Sequence, residues 1–197
     1  MKFVVATFNE DKMREVRELL DLPGVTLVGL QGFRGASAPA EAGHSLLENA
    51  LAKAHAARKL TRMPAIADDT GLEVDALGGR PGIYSARFAG PNASYRDNVR
   101  RLLEVMTGLE GVERRARFRT ACAAVLEGGV EVKAEGVLEG RITFTPRGKH
   151  GFGYDPVFEV EGLGLTLAEL TPAEKNARSH RARALQMLDD KLAALKR

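Results

Sequence analysis

The stretch "KFVVAT" (Lys2 to Thr7) runs straight into "NEDKMREVRELLD", and that junction constrains the fold more than any other part of the chain. The first segment is short, apolar and partly β-branched, which is the pattern of a buried strand. The second carries Met13, Val16, Leu19 and Leu20 at helical spacing. A strand that feeds directly into an amphipathic helix is an α/β unit. Cross-links cannot stabilise it, because Cys122 is the only cysteine, and the "TACAAVL" around that thiol reads as buried core. Apolar packing has to suffice, and 197 residues with 44% hydrophobic content allow one substantial core or two small lobes.

The rest of the chain extends this pattern. "SLLENALAKAHAARKL" (Ser45 to Leu60) predicts a second amphipathic helix, opened by a capping box in which Ser45 caps and Glu48 stands three residues on. "MPAIADD" is the next strand, a third helix spans about Ser94 to Met106, and a β-rich section runs from about Ala116 to Val160 with a turn at "EGGV". A final helix pair opens at a capping box on Thr171 and Glu174. It continues from Ser179, with Ala182, Leu185, Leu188, Leu192 and Leu195 on one face. This order predicts a single mixed α/β domain over residues 1–197, with a central sheet and a cleft between two lobes. The apolar run at the N-terminus is too short for a signal-peptide core, and no stretch approaches the roughly 20 residues needed to span a bilayer. The expectation is a cytoplasmic protein without a membrane partner.

A net charge of +3 and a pI near 9.1 fit a polyanionic ligand, either nucleic acid or a nucleotide. "ERRARFR" sets Arg115, Arg117 and Arg119 on one strand face and Phe118 on the other. Solvated strand arginines account for that pattern, and one aromatic is too few for a stacking platform, so no nucleic-acid partner is expected.

Several groups carry possible chemistry. In "ATFNEDK" the carboxyl end of a strand meets a helix N-terminus, where open α/β sheets bind phosphate. Asn9 is a good N-cap, and Glu10 and Asp11 suit the positive end of the dipole. Lys12 opposes that dipole by a few tenths of a kcal/mol; it is either a surface lysine or one that a polyphosphate neutralises. Asn49 and Lys53 are four apart on one helix face. Glu41, in "APAEAGHS", has no packing duty and reads as a surface residue or a metal ligand. Asp68 and Asp69 directly follow an apolar strand. Consecutive strand side chains point to opposite faces, so the two share one task only if the chain turns, and Thr70-Gly71 is a candidate turn. The pair is either a cap and turn or a carboxylate site for Mg²⁺ with water activation. Phe152 in "GFGYDP" lies between two glycines, where no adjacent side chain covers its ring. It either folds back into the turn or stacks on a base, a contact of about 1–3 kcal/mol. "EKNARSHRARAL" adds Lys175, His180 and Arg181, helix-end basic residues that are ordinarily solvated. Together these groups form a set suited to a nucleoside triphosphate with Mg²⁺.

"ATFNEDKMREV", "LLENALAKA", "AIADDTGLEVDALGGRPGIYSARFAG", "GFGYDPVF" and "AELTPAEKNARSHRARAL" stand in the order and spacing of the inosine/xanthosine triphosphate pyrophosphatase family. The chain resembles that family over nearly its whole length, departing at Phe8, where a small residue is expected, and at Thr70, where Ser is common. The resemblance implies hydrolysis of the α-β phosphoanhydride of ITP, dITP and XTP to the monophosphate and pyrophosphate, clearing deaminated purines from the nucleotide pool. It further implies Mg²⁺, a homodimer, and an elongated two-lobed α/β fold with the active site in the cleft. Asp69 would be general base and metal ligand, with Asp68 and Glu41 supporting the metal. Thr7, Phe8, Asn9, Glu10, Asp11, Lys12, Lys53 and Thr70 would contact the triphosphate. Phe152, Gly153, Tyr154, Asp155, Lys175, His180 and Arg181 would form the base pocket.

Overall fold

The apolar N-terminal run forms strand β1 (Lys2–Val5), and helix α1 (Glu10–Leu19) follows it, as their patterns predict. The computed structural model describes residues 2–20, 24–37 and 42–195. The remaining elements are β2 (Thr26–Gly29), α2 (Leu46–Thr61), β3 (Ala65–Val74), β4 (Pro81–Gly82), α3 (Tyr95–Val105), β5 (Arg115–Val125), β6 (Glu131–Ile142), β7 (Phe158–Val160), α4 (Pro172–Asn176) and α5 (His180–Ala194). The strands hydrogen-bond in the order β2-β1-β3-β5-β6-β7, with β4 on β3. The fold is therefore mixed α/β with a central sheet. Two compact units divide it: Met1–Asp69, Thr120–Gly136 and Arg181–Arg197 make the first, Thr70–Arg119 and Val137–His180 the second. Among the described residues no helix is long and apolar enough to cross a membrane.

In the first unit β1 pairs in parallel with β2 and β3. Alternation along these strands gives each sheet face its own core. Phe3, Val5 and Ile66 pack with Met13 and Val16 of α1 and with Leu185, Leu188 and Leu192 of α5. Val4, Ala6, Ala65 and Ala67 pack with Ala50, Ala54 and Ala57 of α2. Cys122 is buried in the first of these layers, and burial pushes its thiol pKa up. Leu195, expected on the buried face of the last helix, is exposed, because α5 ends at Ala194. Asn9 caps α1, accepting from the Asp11 and Lys12 amides at 2.9 and 3.1 Å. Ser45 caps α2 through the Glu48 amide, but the Glu48 carboxylate accepts from the His44 amide, so the expected reciprocal box is offset by one residue.

In the second unit Leu72, Val74, Leu102, Met106, Phe118, Leu138 and Phe158 form the core around α3. Two of the alternating arginines of β5 meet carboxylates: Arg117 pairs with Asp75 at 2.7 Å and Glu139 at 3.4 Å, and Arg119 with Glu73 at 3.3 Å. Arg114 is buried, and its guanidinium donates to the carbonyls of Ile142 (2.7 Å), Thr143 (2.8 Å), Leu109 (3.1 Å) and Met106 (3.3 Å). Met106 caps the C-terminus of α3, so the cation also lies at the negative end of that helix. Arg114→Leu leaves those carbonyls without their charged donor, and we expect a loss of about 3 kcal/mol, measured as a lowered urea midpoint with an unchanged m-value.

Candidate active site

Strand β3 runs unbroken through Asp68 and Asp69 to Val74, so the candidate turn at Thr70-Gly71 is not formed. What keeps the chain extended is distant in sequence: β4 pairs with Leu72 and Glu73, and the Ser85 hydroxyl accepts from the Leu72 amide at 2.9 Å. The two carboxylates consequently alternate. Asp68 shares the face of Ile66, toward α1 and α5, and Asp69 shares that of Ala65 and Ala67, toward α2.

Around Asp68, Oδ2 accepts from Arg181 Nε and Nη2 at 3.2 and 3.1 Å, and Lys12 Nζ lies 3.1 Å from the same oxygen. Arg181 Nη1 also donates to the buried Glu15 carboxylate. Two carboxylates and two cations thus balance inside the first unit. Lys12, the cation that opposes the helix dipole, has an internal counter-charge as well as any external one. Glu15 carried no signal of its own in the sequence, where it reads as one more polar helix position. At the start of α1, Thr7 Oγ1 accepts from the Asn9 amide at 3.1 Å, the Phe8 carbonyl accepts from Gln31 Nε2 at 3.1 Å, and Asp11 pairs with Arg14 at 3.4 Å. Glu10 lies exposed in the first turn.

Around Asp69, Oδ1 accepts from Lys53 Nζ at 2.7 Å and Oδ2 from Asn49 Nδ2 at 3.1 Å. The Asn49 carbonyl oxygen accepts from the Gly43 amide at 2.9 Å, which fixes which end of the amide faces Asp69. The spacing of Asn49 and Lys53 was legible; their common partner was not. Glu41 lies outside the described residues. Among those described, no group of three His, Cys, Asp or Glu residues is placed to hold a metal ion. Asp68 and Asp69 each offer hard oxygen donors of the kind that suit Mg²⁺, but they stand on opposite faces of β3, so a single ion draws directly on one of them, with waters and phosphates completing its shell.

In the second unit, Gly151 and Gly153 adopt φ of +73° and +61°, a left-handed backbone that glycine takes without strain and that presents Phe152 between them. The ring is not uncovered, as its neighbours in sequence imply. Lys175 Nζ lies 4.7 Å from its centroid, and the Tyr95 ring stands 5.8 Å away at 38°. Asp155 Oδ2 accepts both the Phe152 amide at 2.8 Å and Lys175 Nζ at 2.5 Å. Tyr154 is buried, its hydroxyl donates to the Ser85 carbonyl at 2.9 Å, and burial raises the hydroxyl pKa. His180 stacks on Phe118 at 4.5 Å and 15°. Lys175, His180 and Arg181 are all buried, contrary to the solvated state expected of helix-end bases. Arg181, expected with the base-binding group, is engaged instead by Asp68 and Glu15. Thr70 is half-buried.

Residues 3–191 match the Ham1 family. The chain belongs to that family. It is 49% identical over 196 residues to a dITP/XTP pyrophosphatase of Thioalkalivibrio sulfidiphilus, covering 98% of each chain. It is 49% identical over 198 residues to one of Methylococcus capsulatus, covering 98% of this chain and 97% of the other. The solved structure of a HAM1 protein from Coxiella burnetii superposes with a TM-score of 0.89 at 40% identity, over 98% of this chain and 99% of that one.

For this Ham1 chain the Asp68 network has a pH signature. Burial alone would raise the Asp68 carboxyl, but the charges of Lys12, Arg181 and Lys53 outweigh it and hold the group well below the usual carboxylate range. Burial likewise opposes the Arg181 charge, and Asp68 and Glu15 reverse that effect. The unfolded carboxyl protonates near 3.8 while the folded one stays ionised, so acid favours unfolding. The Asp68 contribution to stability is therefore complete above about pH 4 and declines as pH falls from there toward the lowered folded value. Asp68→Asn takes the counter-charge from half-buried Lys12 and leaves buried Arg181 with Glu15 alone, and should cost about 3–5 kcal/mol at pH 7. In urea titrations the gap between wild type and variant should hold from neutral pH down to about pH 5 and narrow below about pH 4.

Proposed function

We propose that the chain is a Mg²⁺-dependent nucleoside triphosphate pyrophosphatase that hydrolyses dITP, XTP and ITP to the monophosphate and pyrophosphate, and so removes deaminated purines from the nucleotide pool. The observation that carries this reading is the end-to-end likeness to relatives named dITP/XTP pyrophosphatase. The same resemblance underlies a cytoplasmic homodimer with neither nucleic acid nor membrane as partner. The carboxylate pairing of Arg117 and Arg119 supports that exclusion for nucleic acid.

Hydrolysis needs a water in line with phosphorus, a group to take its proton, and cations over the phosphate oxygens. Asp69 takes the proton, its two oxygens oriented by Lys53 and Asn49. As the water oxygen bonds to phosphorus, the bridging P–O bond breaks and pyrophosphate leaves with the electron pair. Lys12 and Lys53 supply positive charge to the triphosphate, and Thr7, Phe8, Asn9, Glu10, Asp11 and Thr70 shape its contacts. Asp69, with Glu41, would hold Mg²⁺, and Asp68, on the opposite face of β3, would support the site through the charge of Lys12; the ion when bound would neutralise phosphate charge and make its water more acidic.

Phe152 stacks on the purine, held by Gly153 and Asp155, while Tyr154 anchors the same loop. Lys175 and His180 donate toward O6 of hypoxanthine or xanthine. Adenine carries a donor at that position, which leaves a buried donor unsatisfied at a cost of about 1–3 kcal/mol. Arg181 acts through Asp68.

With Mg²⁺, XTP, dITP and ITP should give XMP, dIMP and IMP plus pyrophosphate, with AMP and GMP formed at least about ten-fold more slowly; products are separated chromatographically. A chelator should stop turnover, and diphosphate products would refute the bond assignment. Asp69→Asn should lower kcat roughly 10²- to 10⁴-fold while XTP binding, read by calorimetry, stays within a few-fold. Near-normal turnover removes Asp69 from the base role.

A further inference from the structure

Tyr95 has no role in the chemistry above, yet its ring stands 5.8 Å from that of Phe152 at an angle of 38°, within the range of favourable aromatic pairs. Its backbone is fixed. Tyr95 is the first residue of α3, next to a closed capping box in which Ser94 Oγ accepts from the Asp97 amide at 3.2 Å and the Ser94 amide donates to Asp97 Oδ2 at 3.0 Å. Phe152 is fixed from the other side of the pair by Asp155. Polar contacts therefore hold the backbone at both positions.

Exposure decides which ring a ligand can reach. Tyr95 is 43% exposed, while Phe152 is only partly so and has the Lys175 ammonium 4.7 Å from its centroid. A half-open tyrosine braced on a Gly-flanked phenylalanine, beside a buried Lys–Asp pair, is a poor way to build a core and a good way to receive a flat ring. A purine is also larger than one phenyl ring, so a second aromatic surface adds contact that a pyrimidine would use less.

We propose that Tyr95 is a specificity-bearing residue, forming with Phe152 a two-ring platform on which the substrate purine stacks; this rests on the reading of Phe152 as the base-binding ring. The platform uses the tyrosine ring and not its hydroxyl. Base–aromatic contact is sequence-tolerant and area-dependent, so Tyr95 contributes to purine binding while Lys175 and His180 read position 6.

Steady-state kinetics with XTP and Mg²⁺ on wild type, Tyr95→Leu, Tyr95→Phe and Phe152→Ala test this, with melting temperatures alongside. Tyr95→Leu should raise KM about ten-fold with kcat within two-fold and the melting temperature unchanged, and Tyr95→Phe should stay near wild type. An unchanged KM in Tyr95→Leu, with KM raised in Phe152→Ala, overturns the role of Tyr95 and leaves the base-binding role of Phe152 standing. Unchanged KM in both overturns the reading of Phe152 and Tyr95 together. A lowered melting temperature in Tyr95→Leu with KM unchanged assigns the residue to the fold and overturns the proposal.

Discussion

A carboxylate buried in a sheet needs a cation beside it, and strand β3 buries two carboxylates in succession. Because strand side chains alternate, that demand falls on both layers of the first unit. On one face Asp68 draws in Lys12 from α1 and Arg181 from α5, with Glu15 balancing the charge. On the other, Asp69 draws in Lys53 and Asn49 from α2. Three helices are thereby tied to one strand by charge as well as by apolar packing. Groups held in this way keep their orientation without a ligand, which is the preorganisation that electrostatic catalysis requires.

The second unit repeats the device once. Asp155 is a buried carboxylate matched by Lys175, and its second contact, to the Phe152 amide, carries the ordering out to an aromatic ring and then to Tyr95. Arg114 shows the contrast. It is just as buried, but its partners are backbone carbonyls at the end of α3, in the loop after it and at the end of β6, so its role is to close a fold. Burial of a charge is informative about function only when its partner is another charge placed where a ligand could use it.

What was legible in the sequence was local. Asn9, Ser45 and Thr171 cap the helices they precede because a cap joins residues two or three apart. The apolar faces of α1 and α5 follow from helical period, apart from Leu195 beyond the helix end. What the sequence left open has the opposite cause. Thr70-Gly71 has the composition of a turn, but β4 and Ser85 hold that stretch extended. Phe152 has bare neighbours in the chain, yet Lys175 and Tyr95 reach it through the fold.

The sequence by itself determined the α/β class, the helices and the family, because periodicity, caps and motif order are properties of near neighbours. The tertiary structure alone decided which charge answers which. Arg181 and Asp68 stand 113 positions apart in the chain, and Asn49 and Asp69 are 20 apart. His180 and Arg181 are adjacent, yet the first stacks on Phe118 and the second grips Asp68. Coulombic and aromatic contacts depend on distance in space, and that distance is set only once the apolar faces have packed.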